Sequence, residues 1–101
     1  MKFEDLKPGT VLSCVWGYSM SIVDFYRVKS TRGKCTVVLE RLRNKIVDTH
    51  DGWDGHVIPD FEHPLDEMSV RFSPKYGCVK LSNHQFLRIW DGQPKYYNHA
   101  D

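Results

Sequence analysis

Long apolar runs are absent from this chain of 101 residues. No stretch approaches the ~18 apolar residues that a membrane-spanning helix requires. The first residues, MKFEDLKPG, also lack the apolar core of a secretory signal peptide. The sequence therefore predicts a cytosolic protein that does not enter a membrane.

Cysteine is scarce as well, with three residues at Cys14, Cys35 and Cys78. They are odd in number and too far apart for a CxxC metal pair or a disulfide framework. Each lies among aliphatic or β-branched neighbours, where a small thiol packs well. We expect buried free thiols and no metal or other cofactor held by cysteine.

Catalytic motifs are also missing. The sequence contains no GxSxG nucleophile elbow, no HExxH zinc motif and no phosphate-cradling GxxxxGK loop. His50, His56 and His63 alternate with carboxylates, but their spacing matches no compact metal site. The expectation is a protein without catalytic residues, without a metal site and without a cofactor.

The residues that are present indicate one folded domain over positions 1–101. Apolar residues make up 41% and aromatic residues 13% of the chain, which is typical of a packed globule. A chain of this length forms a single core.

Alternating apolar and polar residues predict a mostly-β fold. Strands are expected over 10–16, 22–29, 35–42, 68–73 and 78–82, and the segment 44–48 is a candidate for a short sixth strand. Gly33 lies between the second and third strands, where a hairpin turn needs positive φ. Ser82 or Asn83 could cap a short helix running to residue 90. Five or six strands with one or two short helices favour a small SH3-like barrel or a strongly bent antiparallel sheet.

Charge is divided unevenly along the chain, although the net charge is only +1. Residues 27–45 contain seven basic residues and one acid, Glu40. Basic side chains on a β-hairpin can contact nucleic-acid phosphates without reading sequence, and Tyr26 could stack on an unpaired base. The nucleic-acid hypothesis names Arg27, Lys29, Arg32, Lys34, Arg41, Arg43 and Lys45. The alternative is that these side chains keep an exposed hairpin soluble.

Residues 48–67 reverse the sign, with seven acids and no lysine or arginine. Gly52, Gly55, Pro59 and Pro64 predict a long acidic loop over about 49–64. Acidic residues mixed with aromatic ones suit docking to another protein. The residues that we expect to carry it are Asp48, Asp51, Trp53, Asp54, Asp60 and Glu62. The sequence leaves open whether this segment instead pairs with the basic hairpin.

Aromatic residues beside glycine and aspartate support a different hypothesis, a pocket for a small ligand or nucleotide. Its lining would be Trp16, Tyr18, Asp24, Tyr26 and Trp90. Residues of this size can equally well close the core of a small barrel.

Two blocks, WGYSMSIVDFYRV at 16–28 and WDGQPKYYNHAD at 90–101, resemble a group of small uncharacterised bacteriophage and prophage proteins. In the first block Trp16, Gly17, Tyr18, Ser19, Met20, Val23, Phe25, Tyr26 and Val28 match the pattern, and in the second Trp90, Asp91, Gly92, Pro94 and Tyr96. The resemblance implies a phage protein in the cytoplasm of the bacterial host and no particular activity. In such a setting we expect an accessory binding protein, whose partner is nucleic acid or a host protein such as a defence complex.

Overall fold

The computed structural model describes residues 1–17, 21–50, 54–82 and 85–98. Within these residues the chain forms a 3₁₀ turn and seven strands in one antiparallel sheet. The elements are the turn Phe3–Asp5, β1 Val11–Trp16, β2 Ile22–Arg32, β3 Thr36–His50, β4 Asp54–Ser73, β5 Cys78–Ser82, β6 Gln85–Ile89 and β7 Lys95–Asn98. The mostly-β prediction is confirmed, with seven strands rather than five or six.

The predicted helix near residues 82–90 is wrong. Residues 85–89 form β6, in which Leu87 is fully buried opposite Val79 while Phe86 and Arg88 are exposed. This alternation has the period of a strand, and pairing on both sides fixes it against the weak capping signal. The described ranges contain no α-helix, and hence no helix long and apolar enough to cross a membrane.

The strand pairings run in a closed ring. β1 pairs with β2 and β6, β6 with β5, β5 with β4, β4 with β3, and β3 with β2. β7 adds to β4 through residues 54–57. Neighbouring strands in the ring are antiparallel. Because alternate side chains of each strand point to the same face of the sheet, those on the inner face meet inside the ring.

Two groups of buried apolar side chains fill the interior. The first group contains Leu12, Tyr26, Val28, Val37, Leu39, Phe72, Val79 and Leu87. The second contains Val23, Phe25, Leu42, Val57 and Tyr97. Trp90 packs edge-on against Phe25, with the ring centroids 5.8 Å apart.

The β2–β3 hairpin predicted from alternation is confirmed. Its turn lies between Arg32 and Thr36, and Gly33 has φ of 60°. β3 is longer than expected, because the segment 44–48 continues it to His50 without a break.

The long loop predicted over 49–64 is largely strand. β3 ends at His50 and β4 begins at Asp54, so the two form one extended hairpin. Pro59 and Pro64 are tolerated because residues 58–71 of β4 form ladder pairs with β3 alone, and an edge strand does not need every N–H. Leu42 lies opposite Pro64 and Arg43 opposite Asp60, so residues 61–63 bulge from the strand.

Candidate nucleic-acid interface

Three of the seven basic residues predicted to bind nucleic acid are in ion pairs within the protein. Arg27 Nε donates to Glu40 Oε1 at 2.8 Å. Lys29 pairs with Glu67, and Arg41 donates to Asp24 Oδ1 at 3.1 Å. These six residues are called the neutralised stretch, because each cation has a carboxylate beside it.

The carboxylate of Asp24 is the buried centre of that stretch. It accepts a hydrogen bond from the Trp16 indole at 2.7 Å in addition to the bond from Arg41. Burial, and next the charge of Asp24, raise the pKa of the Cys14 thiol to about 11 and that of Tyr26 to about 12. Through its hydrogen bonds with Trp16 and Arg41, Asp24 on β2 connects β1 and β3.

Four of the five residues proposed to line a small-ligand pocket are described, and all four pack into the fold. Trp16 and Tyr26 belong to the first buried group and Trp90 lies against the second. The Trp90 indole donates to the Gln93 carbonyl at 2.7 Å, so the two indole N–H groups have partners inside the protein. Tyr18 lies outside the described residues, and the small-ligand hypothesis remains a prediction.

Carboxylates of the acidic segment contact two histidines of the same segment and one tyrosine of β7. Asp48 lies 2.8 Å from His56 Nδ1, and Asp60 lies 2.7 Å from His63 Nδ1. The Tyr96 hydroxyl donates to Asp54 at 3.1 Å. Desolvation favours a higher pKa for Asp60, but the backbone N–H of Glu62 and the His63 ring outweigh it and lower the pKa.

Two predicted docking residues, Asp51 and Trp53, lie outside the described residues, whereas the Glu62 side chain is exposed on the bulge. In the part of the chain that the structure describes, no three His, Cys, Asp or Glu side chains come together as a metal site.

The basic and acidic segments meet where β3 pairs with β4, because residues 36–45 of the basic segment lie on β3 and residues 54–67 of the acidic segment lie on β4. This pairing answers the question that the sequence left open. Arg43 lies opposite Asp60 in the β3–β4 register. Arg27 also reaches across and donates to the Phe61 carbonyl at 3.4 Å. Three of the seven predicted phosphate-binding cations are thus paired with carboxylates. Arg43 and Lys45 are exposed and lie near Asp60.

A different group of cations remains at the β2–β3 turn. Arg32, Thr36 and Arg71 lie side by side across β2, β3 and β4, and Lys34 is in the turn itself. Arg32, Lys34 and Arg71 are exposed and form no ion pair with any described residue. We call these three side chains the turn end.

Arg71 was missed by the sequence analysis, although a signal for it exists. Residues 68–90 contain four basic residues and no acid, a run that the neighbouring acidic segment obscures. Next to the turn end, Lys2 and Lys34 line a concavity of about 260 Å³ with Phe72 and Pro74. Glu4 is the acid at its rim.

Comparisons of the chain with protein-family models, with curated proteins and with solved structures found no match.

Proposed function

We propose that this protein is a non-catalytic nucleic-acid-binding protein that contacts phosphates through the turn end. The observation that carries the proposal is the row Arg32–Thr36–Arg71, in which the two arginines flank a small polar residue and neither has a partner among the described carboxylates. Lys34 extends the same charge from the adjoining turn.

The geometry suits a polyanion. Neighbouring strands lie ~4.8 Å apart, so the arginines of β2 and β4 are separated at their backbones by roughly 10 Å. Two long side chains at that spacing can reach different phosphates of one strand, and each neutralised phosphate releases counterions. Such contacts position the nucleic acid without selecting its sequence.

The experiment is fluorescence anisotropy with a labelled mixed-sequence duplex and a single strand, at low and at physiological salt. Wild-type affinity should fall steeply with salt, and Arg32→Glu with Lys34→Glu should weaken binding by about tenfold or more. The matched control is Arg43→Glu with Lys45→Glu, which changes the net charge equally on the same hairpin beside Asp60. Binding that does not respond to salt, or equal losses in the two variants, would overturn the proposal.

The ring of six strand pairings supports the interpretation of the sheet as a small SH3-like barrel. Together with the resemblance of residues 16–28 and 90–101 to phage and prophage proteins, it supports an accessory role in the cytoplasm of a bacterial host.

A second candidate function is docking to a host protein, such as a defence complex, through the β4 bulge. Phe61 and Leu65 are 46% and 56% exposed, and they alternate with acids at positions 60, 62, 66 and 67. Exposed apolar side chains framed by carboxylates fit a protein surface with a basic rim.

Docking is tested by cross-linking the protein in host lysate and identifying the partner by mass spectrometry. The purified partner should bind wild type and the Arg32→Glu, Lys34→Glu variant alike. Phe61→Ala with Asp60→Lys should abolish its binding. A partner that still binds this second variant would contradict the assignment to the bulge.

A further inference from the structure

The outer face of β5 and β6 is basic and aromatic. Phe86 and Tyr76 are 38% and 61% exposed. Phe86 points outward because its neighbour Leu87 is buried, and Tyr76 lies in the turn between β4 and β5. Exposed aromatic rings on a sheet are surfaces on which unpaired bases stack.

A lysine accompanies each of these rings. Lys80 Nζ lies 5.8 Å from the centroid of Phe86, and Lys75 Nζ lies 5.5 Å from that of Tyr76. The sequence from residue 68 to 90 contains no acid. Each amine lies over its ring, so it must move aside when a base stacks there. The face therefore combines cations with aromatic rings, as surfaces that bind single strands do.

Two adjacent concavities divide this face. One, of about 400 Å³, is lined by Val15, Phe86, Arg88 and Ile89 among others. The other, of about 360 Å³, is lined by Tyr76, Arg88 and Ile89 among others. Each concavity thus has one aromatic ring, and the two share the exposed Arg88.

The face is continuous with the turn end. Met1 lines both the 360 Å³ concavity and the 260 Å³ concavity that contains Lys34. A chain of concavities therefore leads from the turn end, past Tyr76, to Arg88 and Phe86.

We propose that unpaired nucleic acid binds along this path, with one base against Tyr76, another against Phe86, and the intervening phosphate on Arg88. This inference rests on the proposed function and adds to it the class of nucleic acid. In a duplex the bases already stack on each other and their faces are closed to the protein, so these rings favour a single strand.

The charges around Arg88 agree with an anionic ligand. Asp91 is the acid that lines the 400 Å³ concavity, and it is paired with Lys95 at 3.0 Å. Arg88 lies opposite Ser13 in β1 and forms no ion pair with a described residue.

The test measures the affinity of wild type for three labelled ligands at one salt concentration. They are a single strand of about 12 nucleotides, the corresponding duplex, and an abasic strand of the same length and charge. Wild type should bind the single strand more tightly than the other two. Equal affinity for the single strand and the abasic strand would overturn the inference.

The variant Tyr76→Leu with Phe86→Leu keeps every charge and removes both rings. We expect it to lose about tenfold or more in affinity for the single strand and to keep its affinity for the abasic strand. The matched control, Tyr76→Phe with Phe86→Tyr, keeps both aromatic surfaces and should bind like wild type. Arg88→Gln should lower the affinity for the single strand and for the abasic strand to the same extent.

The outcomes separate this inference from the proposed function. If the leucine variant binds the single strand like wild type while Arg32→Glu with Lys34→Glu does not, the stacking site is wrong and the turn end stands. If wild type binds none of the three ligands, both proposals are wrong. If the leucine variant loses thermal stability, the wild-type affinities for the single strand and the abasic strand decide the question.

Discussion

The cations of the turn end and those of the neutralised stretch are lysines and arginines of neighbouring strands or of the turn between them, yet their electrostatic states differ. Arg27, Lys29 and Arg41 each have a carboxylate partner from the sheet. Arg32 and Lys34, a few residues along the chain, have none among the described residues. The difference lies in the residues of β4 that are close to each cation. Glu67 contacts Lys29, whereas Arg71 is the β4 residue in register with Thr36 and Arg32.

The comparison shows that a basic run in a sequence is not yet a basic surface. A cation beside a carboxylate would have to give up that partner before it could bind a phosphate, whereas an unpaired cation releases only counterions. Each of the four predictions that follow tests this contrast.

The largest effect is expected on the free energy of unfolding at alkaline pH. It arises from Cys14 and Tyr26, two core residues whose pKa values the charge of Asp24 helps to raise. In the folded protein the pKa of Cys14 rises from 9.0 to about 11 and that of Tyr26 from 10.0 to about 12. Between pH 9 and 12 the unfolded chain therefore binds fewer protons than the folded one, and stability must fall as pH rises. The loss is at most about 1.4 kcal/mol per pH unit for each group.

Urea denaturation at pH 7, 9 and 11 measures this loss. Cys14→Ala with Tyr26→Phe should flatten the dependence on pH. An equal slope in that variant would show that the alkaline loss arises elsewhere.

Arg41 and Arg32 should behave differently when each is replaced by methionine. Arg41→Met removes one donor to the buried Asp24 carboxylate, and we expect it to lower the free energy of unfolding by about 2 kcal/mol. Arg32→Met breaks no ion pair with a described residue and should stay within about 0.5 kcal/mol of wild type. Thermal and chemical denaturation check both values, and equal destabilisation would contradict the contrast.

Releasing cations in the neutralised stretch should strengthen nucleic-acid binding. Glu40→Gln with Glu67→Gln frees Arg27 and Lys29, and should steepen the slope of log affinity against log salt by about 1 for each freed cation that reaches a phosphate. The control, Glu62→Gln with Asp66→Asn, changes net charge equally but breaks no ion pair between described residues. Identical slopes in the two variants would mean that net charge alone matters.

The smallest effect concerns Cys35, which adjoins the turn end. Its side chain is partly exposed, while Cys14 and Cys78 are buried. A maleimide should label Cys35 several times faster than the other two thiols, and bound nucleic acid should slow that labelling. Equal rates with and without nucleic acid would place the binding surface away from Lys34.

Part of the fold could be predicted from local sequence patterns. Alternation in residues 22–29 and 35–42, with Gly33 between them, identified the β2–β3 hairpin, because local periodicity and turn chemistry determine such a unit. The same reasoning failed at residues 54–64, where Pro59 and Pro64 indicated a loop. Those prolines are compatible with β4 because that length of strand pairs on one side only, which depends on distant segments.

The candidate site divides in the same way. Sequence reasoning included Arg32 and Lys34 among seven basic residues, but it gave the same weight to the paired Arg27, Lys29 and Arg41 and omitted Arg71. Local sequence patterns do not show which of these cations form ion pairs, because strand register determines which carboxylate lies beside each cation.

The sequence by itself determined that this protein is mostly β, that Gly33 turns a hairpin, and that opposite charges occupy consecutive segments. These properties follow from residue type and from spacings of a few residues. Only the tertiary structure decided that β4, which carries most of the acidic segment, pairs with one strand of the basic hairpin, that Arg71 joins Arg32, and that Tyr76 and Phe86 each line a concavity with Arg88. The physical reason is that ion pairing and exposure depend on which strands become neighbours, and that choice is made by the burial of side chains far apart in sequence.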